Sequence, residues 1–154
     1  MAASPPDDRS FRLGGRRGSF GDRRGRLGGR EGIDELLVIE LRPDPEACEL
    51  GEAVYAWITA GGKPVRIGTC GASAGKRLLS YPGYVNRSLA GRGGTTPKWE
   101  ALKWLNLLAE HAMLTAVVHQ PEPTPTAAGL IRPYLDIERQ LIRQHRPLLN
   151  RSRR

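Results

Sequence analysis

A small β-sheet with helices packed against it, an α+β fold, is the architecture this sequence predicts, and three observations predict it. Residues 53–70 read AVYAWITA-GGK-PVRIGTC, two β-branched and aromatic runs around a glycine turn, the pattern of a hairpin. Residues 96–112, TPKWEALKWLNLLAEHA, carry apolar groups at helical spacing and lead directly into MLTAVVHQ, a third strand. Near the C-terminus, YLDIERQLIRQH sorts into an apolar and a basic face, as an amphipathic helix does.

Taken in order, residues 1–32 are rich in Gly and Arg, and RLGGR occurs at both 12–16 and 26–30. Such a segment has too little apolar surface to offset the entropy of ordering it, so it is expected to be a disordered tail. Its charge suits it to a basic arm touching phosphates without sequence preference; a solvated tail with no partner is the plain alternative. Residues 33–52 form an N-terminal extension. Within it, IDELLVIEL (33–41) fits a strand or a short helix, and RPDPEACELGE, with its prolines and acids, reads as a loop. After the hairpin, Ser73 is placed to cap a short helix over 74–81, which Pro82 should stop. Residues 82–96 are expected to be an irregular, basic, Gly-rich loop, and Thr96-Pro97 opens the long helix. Trp99, Leu102, Leu105 and Ala109 share one side of it and are expected to face the core. Trp104 and Leu107 point elsewhere, to be covered by 33–41 or by a second subunit. After the third strand, PEPTPTAAG reads as a linker. The last helix, about 133–145 and ended by Pro147, carries Tyr134, Leu135, Leu141 and Ile142 on one face and Arg139, Gln140, Arg143 and Gln144 on the other. Glu138 falls in the middle of the apolar stripe, where a carboxylate is costly unless it is paired or coordinated.

The net charge of +8, with Lys and Arg totalling 24 against 16 acids, favours polyanionic partners, nucleic acid first. No run approaches the roughly 18 apolar residues of a membrane span. A polar, charged N-terminus is not a secretion signal, and two cysteines make neither a disulfide framework nor a zinc set, so the expectation is a cytoplasmic protein with no membrane partner. Of the histidines, His111, His119 and His145 have no ligand spacing.

Single residues with chemistry acquire meaning from their order. Tyr55 lies mid-strand, Arg77 and Tyr81 are four apart on the short helix, and Glu138 precedes Leu141-Ile142, Pro147 and Asn150. In this order the chain resembles the GIY-YIG nuclease family over about 53–150. Ala53-Val54-Tyr55 stands for Gly-Ile-Tyr and Arg66-Ile67-Gly68 for Tyr-Ile-Gly. Arg77 stands for the helix arginine, Tyr81 for the His or Tyr four residues on, and Glu138 through Asn150 for the closing segment. The resemblance implies a three-stranded antiparallel sheet flanked by helices and a metal-dependent DNA endonuclease, with 151–154 a basic C-terminal tail. It also implies roles. Glu138 would bind one divalent cation, Mg²⁺ or alternatively Mn²⁺. Arg77 would clamp the phosphate. Tyr55 would orient the attacking water or take its proton, Tyr81 would share that task, and Asn150 would position Glu138. Arg66 departs from the family tyrosine. Arginine accepts no proton at neutral pH, so it would contact a phosphate oxygen or lower the pKa of Tyr55.

Arg87, Arg92 and Lys98 on the basic loop, and Arg139 and Arg143 on the last helix, are candidate contacts to the backbone of double-stranded DNA. Restriction members of the family often pair subunits, so a homodimer is an expectation here too. The length suits a small restriction-like or phage-borne enzyme. Two other classes fit the same charge: a catalytically inactive nucleic-acid-binding module of the same fold, and an RNA-binding protein led by its Gly-Arg arm.

Overall fold

The computed structural model describes residues 9–19, 35–42, 45–111 and 113–151; for the first two of these segments the strand backbone alone is described. The hairpin forms as expected. β3 (Ala53–Ile58) pairs antiparallel with β4 (Pro64–Cys70), Tyr55 opposite Gly68 and Trp57 opposite Arg66. β5 (Met113–His119) pairs antiparallel with the other edge of β3, Tyr55 opposite Val118. The pattern of the sequence implied a hairpin and a third strand, and together they form a three-stranded antiparallel unit.

The sheet continues beyond them. β1 (Arg9–Ser19) and β2 (Glu35–Arg42) extend it antiparallel to the order β2-β1-β5-β3-β4. A strand within 9–19 corrects the expectation of a tail without structure over 1–32. Composition judges side-chain burial, whereas a ladder uses the backbone N–H and C=O that every non-proline residue carries, and the outer edge of β5 offers unpaired ones. The remainder of that tail, 1–8 and 20–34, lies outside the described residues, as does 152–154.

Helices cover the sheet face that carries Ala53, Tyr55 and Trp57. They are α1 (Pro45–Cys48), α2 (Ala74–Leu79), α3 (Tyr81–Leu89) and α4 (Lys98–Glu110). All four depart from expectation in some respect. α1 falls in the stretch read as a loop, with Pro45 in its first turn, where a missing N–H costs nothing. α2 starts as foreseen, Ser73 Oγ accepting the Lys76 N–H at 3.3 Å, but it ends at Leu79. Pro82 then sits at the start of α3 instead of stopping a helix, for the same reason as Pro45, so most of the expected loop 82–96 is helical. α4 is rotated from its expected setting. Glu100, Ala101, Trp104, Leu107 and Leu108 are buried, while Trp99 and Leu102 are exposed. Both stripes are apolar, so periodicity alone does not choose between them. The choice falls to Trp104, which stacks edge-on against Trp57 at 5.9 Å and Tyr81 at 5.5 Å. Trp104 and Leu107 thus belong to the main core and are buried within the single chain, with no second subunit needed to cover them.

The Pro-rich linker contains a small exposed hairpin, β6 (Thr124–Thr126) with β7 (Gly129–Ile131). α5 (Tyr134–His145) matches the last expected helix and packs against β3 and β4. Its Tyr134, Ile137, Glu138, Leu141 and Ile142 are half-buried, and Leu135, expected among them, is exposed. Among the described residues no helix is long and apolar enough to cross a membrane.

Candidate active site

Tyr55 points from the centre of β3 toward α2 and α3, and its hydroxyl shares a 2.6 Å hydrogen bond with that of Tyr81. Arg77 Nε donates to the same Tyr55 oxygen at 3.3 Å. The Arg77 guanidinium also lies over the Tyr81 ring, 5.8 Å from its centroid. Gly68 makes this possible. A Cβ there would collide with the Tyr55 phenol, so only glycine on the neighbouring strand lets the ring lie across β4. The helical spacing of Arg77 and Tyr81 and the strand pairing of Tyr55 and Gly68 therefore build one cluster from three elements.

Within this cluster the side chains differ in what they can do. Arg77 is exposed, and its terminal nitrogens make no hydrogen bond among the described residues. Burial would lower its pKa, but the tyrosine oxygens, Tyr55 first, raise it, so it is a permanent cation pinned at Nε and open at its fork. Tyr55 and Tyr81 are both buried, 1% and 6% exposed. Burial, and then the Tyr55 oxygen, push the Tyr81 pKa far above the ordinary phenol value despite Arg66 and Arg77 nearby. Tyr81 is thereby held in its protonated form, in which it donates or accepts a hydrogen bond and holds Tyr55.

The shift has a measurable consequence. The folded state keeps the Tyr81 proton above the pH at which an unfolded tyrosine, with a pKa of about 10, releases it. The stability this contributes is complete below about pH 10 and is lost as the pH climbs toward the raised folded value. An ultraviolet titration should show Tyr81 ionising only together with unfolding. Reversible ionisation of Tyr81 in the folded protein would contradict this.

Arg66 and Asn150 are brought close to the cluster but are occupied. Arg66 forms an ion pair with the buried Glu100 at 3.1 Å and donates to the Leu149 carbonyl. Burial would lower its pKa; Tyr81 and then Glu100 outweigh that and raise it. Its charge is directed inward, against the expectation of a phosphate contact. The Asn150 amide accepts from Ile67 N–H at 2.9 Å and donates to Ile67 C=O at 2.8 Å, and Leu149 N–H bonds to Val65 C=O at 2.8 Å. Asn150 thus ties the chain after α5 to the free edge of β4, and both ends of its amide serve that tie instead of Glu138. Glu138 itself is half-buried on α5, which packs on the strands that carry Tyr55 and Arg66.

Of the expected DNA contacts, Arg87, Arg92, Lys98 and Arg143 are exposed. Arg139 is exposed too, but donates to Asp136 at 3.0 Å, which offsets its charge. Glu100 is the participant that the sequence reading passed over. Its signal was its phase, since it falls on the stripe of Ala101, Trp104, Leu107 and Leu108. A buried acid there requires a cation from another element. Among the described residues no group of three or more His, Cys, Asp and Glu side chains is placed to hold a metal ion. Searches against family models, curated proteins and solved structures find no match to this chain.

Proposed function

We propose that the chain is a metal-dependent DNA endonuclease of the GIY-YIG type, hydrolysing phosphodiester bonds in double-stranded DNA. One observation carries the reading: an exposed arginine fork, Arg77, is fixed by a buried strand tyrosine and left open to solvent in a protein of net charge +8. Phosphodiester cleavage needs a preorganised cation where negative charge grows on phosphorus, and a fork anchored at one nitrogen offers two further donors at low entropic cost.

Mg²⁺ keeps several waters and takes one or two carboxylates together with phosphate oxygens, so a site on Glu138 needs no larger cluster of acids. Bound there, Mg²⁺ or Mn²⁺ would supply Lewis-acid stabilisation of the phosphate and the leaving oxygen. Arg77 would grip a non-bridging phosphate oxygen. Tyr55 positions Arg77, and Tyr81 and Gly68 position Tyr55. Exposed Arg87, Arg92, Lys98 and Arg143 would hold the DNA backbone without choosing sequence.

A second reading is favoured by one specific feature. The residue in place of the second family tyrosine, Arg66, is bound to Glu100 and Leu149, which suits a non-cleaving nucleic-acid-binding module. Incubation with supercoiled plasmid and Mg²⁺ separates the two. The parent protein is expected to nick or linearise the plasmid, and Glu138→Ala to lose cleavage while it still binds DNA and unfolds cooperatively. Binding without cleavage by the parent, in Mg²⁺ and in Mn²⁺, selects the second reading.

A further inference from the structure

The exposed face of α4 and the chain after α5 enclose an open groove of about 450 Å³, lined by Trp99, Lys103, Arg146, Leu148 and Arg151 among others. Tyr55, Arg77 and Tyr81 do not line it, and among the described residues no carboxylate does. We propose that this groove binds single-stranded nucleic acid, a base stacking on Trp99 while Lys103, Arg146 and Arg151 neutralise the flanking phosphates.

Three observations carry this. First, the Trp99 indole is 37% exposed although the same helix buries Trp104 to 1%, and Leu148 beside it is half exposed. A tryptophan left at the surface presents a π-face, and base–aromatic stacking is available to strands whose bases are not already stacked in a duplex. Second, a cation is already beside that ring. Lys103 Nζ lies 5.0 Å from its centroid and donates to the Leu148 carbonyl at 3.3 Å, so the groups that would meet a base and its phosphate line one wall. Third, Arg146 caps α5 in the left-handed region, φ 46°, with its N–H bonded to the Ile142 carbonyl. Glycine would occupy that position without strain, and the arginine there adds a charge to the groove.

The site does not depend on cleavage, so it is tested with the full chain in the presence of a chelator. Trp57 and Trp104 are buried, which makes Trp99 the tryptophan whose emission an incoming base should quench. Titration with a single-stranded oligothymidylate is expected to quench saturably, more strongly than a duplex of equal length. By anisotropy of a labelled oligonucleotide, Trp99→Ala should weaken binding about fivefold or more, given stacking of about 1–3 kcal/mol per base. Arg146→Gly should weaken binding and flatten its salt dependence without lowering the melting temperature. An oligoribonucleotide arm tells whether RNA or DNA is preferred. Affinity unchanged in both variants, quenching by duplex alone, or equal quenching by polyglutamate or anionic vesicles would overturn the assignment. None of these outcomes bears on whether plasmid is cleaved, so the two readings stand or fall separately.

Discussion

Replacing Arg77 with alanine is expected to slow plasmid cleavage by about 10²–10³-fold, the usual cost of removing one preorganised donor to a charged transition state. The reason lies in how the side chain is held. Arg77 stands on the short helix α2 and is anchored through Nε to a tyrosine oxygen, which leaves the terminal nitrogens to the substrate. The loss should appear in kcat more than in DNA affinity, because exposed Arg87, Arg92, Lys98 and Arg143 remain to hold the backbone. Stability should change by less than about 1 kcal/mol, as for other exposed side chains. Arg77→Lys keeps the charge but has neither the fork nor the Nε–H that reaches Tyr55, so it should recover less than about a tenth of the lost rate. Tyr55→Phe tests the same idea from the other side. It deletes the hydroxyl that fixes Arg77 and should lower kcat while leaving the guanidinium present. Cleavage by Arg77→Ala within about threefold of the parent would remove the clamp from the mechanism.

How far the sequence could be read depended on whether the signal was local. The 53–70 hairpin, Ser73 as a cap, β5 and α5 were legible because period, turn residues and capping residues sit within a few positions of one another. The adjacency of Tyr55, Arg77 and Tyr81 was legible from motif order, and Gly68 explains why a small residue stands opposite the tyrosine. The misses share a different cause. The strand at 9–19 depends on a partner edge far along the chain. The rotation of α4 depends on Trp57 and Tyr81, which lie on other elements. Pro82 looks the same whether it ends one helix or begins the next. The role of Asn150 is set by the backbone of Ile67, a partner that no side-chain pattern identifies.

Removing Glu100 should be among the most destabilising single changes in the molecule, at about 3 kcal/mol, because it leaves the Arg66 guanidinium largely buried without its counterion. For a chain of this length that corresponds to a drop in melting temperature of about 6–12 °C for Glu100→Ala. Glu100→Gln keeps an acceptor oxygen and the shape, and should cost less. The comparison that isolates the pair is the double replacement Arg66→Met with Glu100→Leu. It removes both charges and should be close to neutral, since two ions taken out of water repay little beyond their own desolvation. The cycle also decides what Arg66 is for. A large coupling energy means that the guanidinium is committed to Glu100 and Leu149, so the departure from the family tyrosine is a structural substitution and leaves the phosphate to Arg77. If Glu100→Ala instead unfolds within about 0.5 kcal/mol of the parent, the Arg66 charge is already reaching water in the native protein. It would then be able to turn toward a bound phosphate, and the site would hold two arginine forks in place of one.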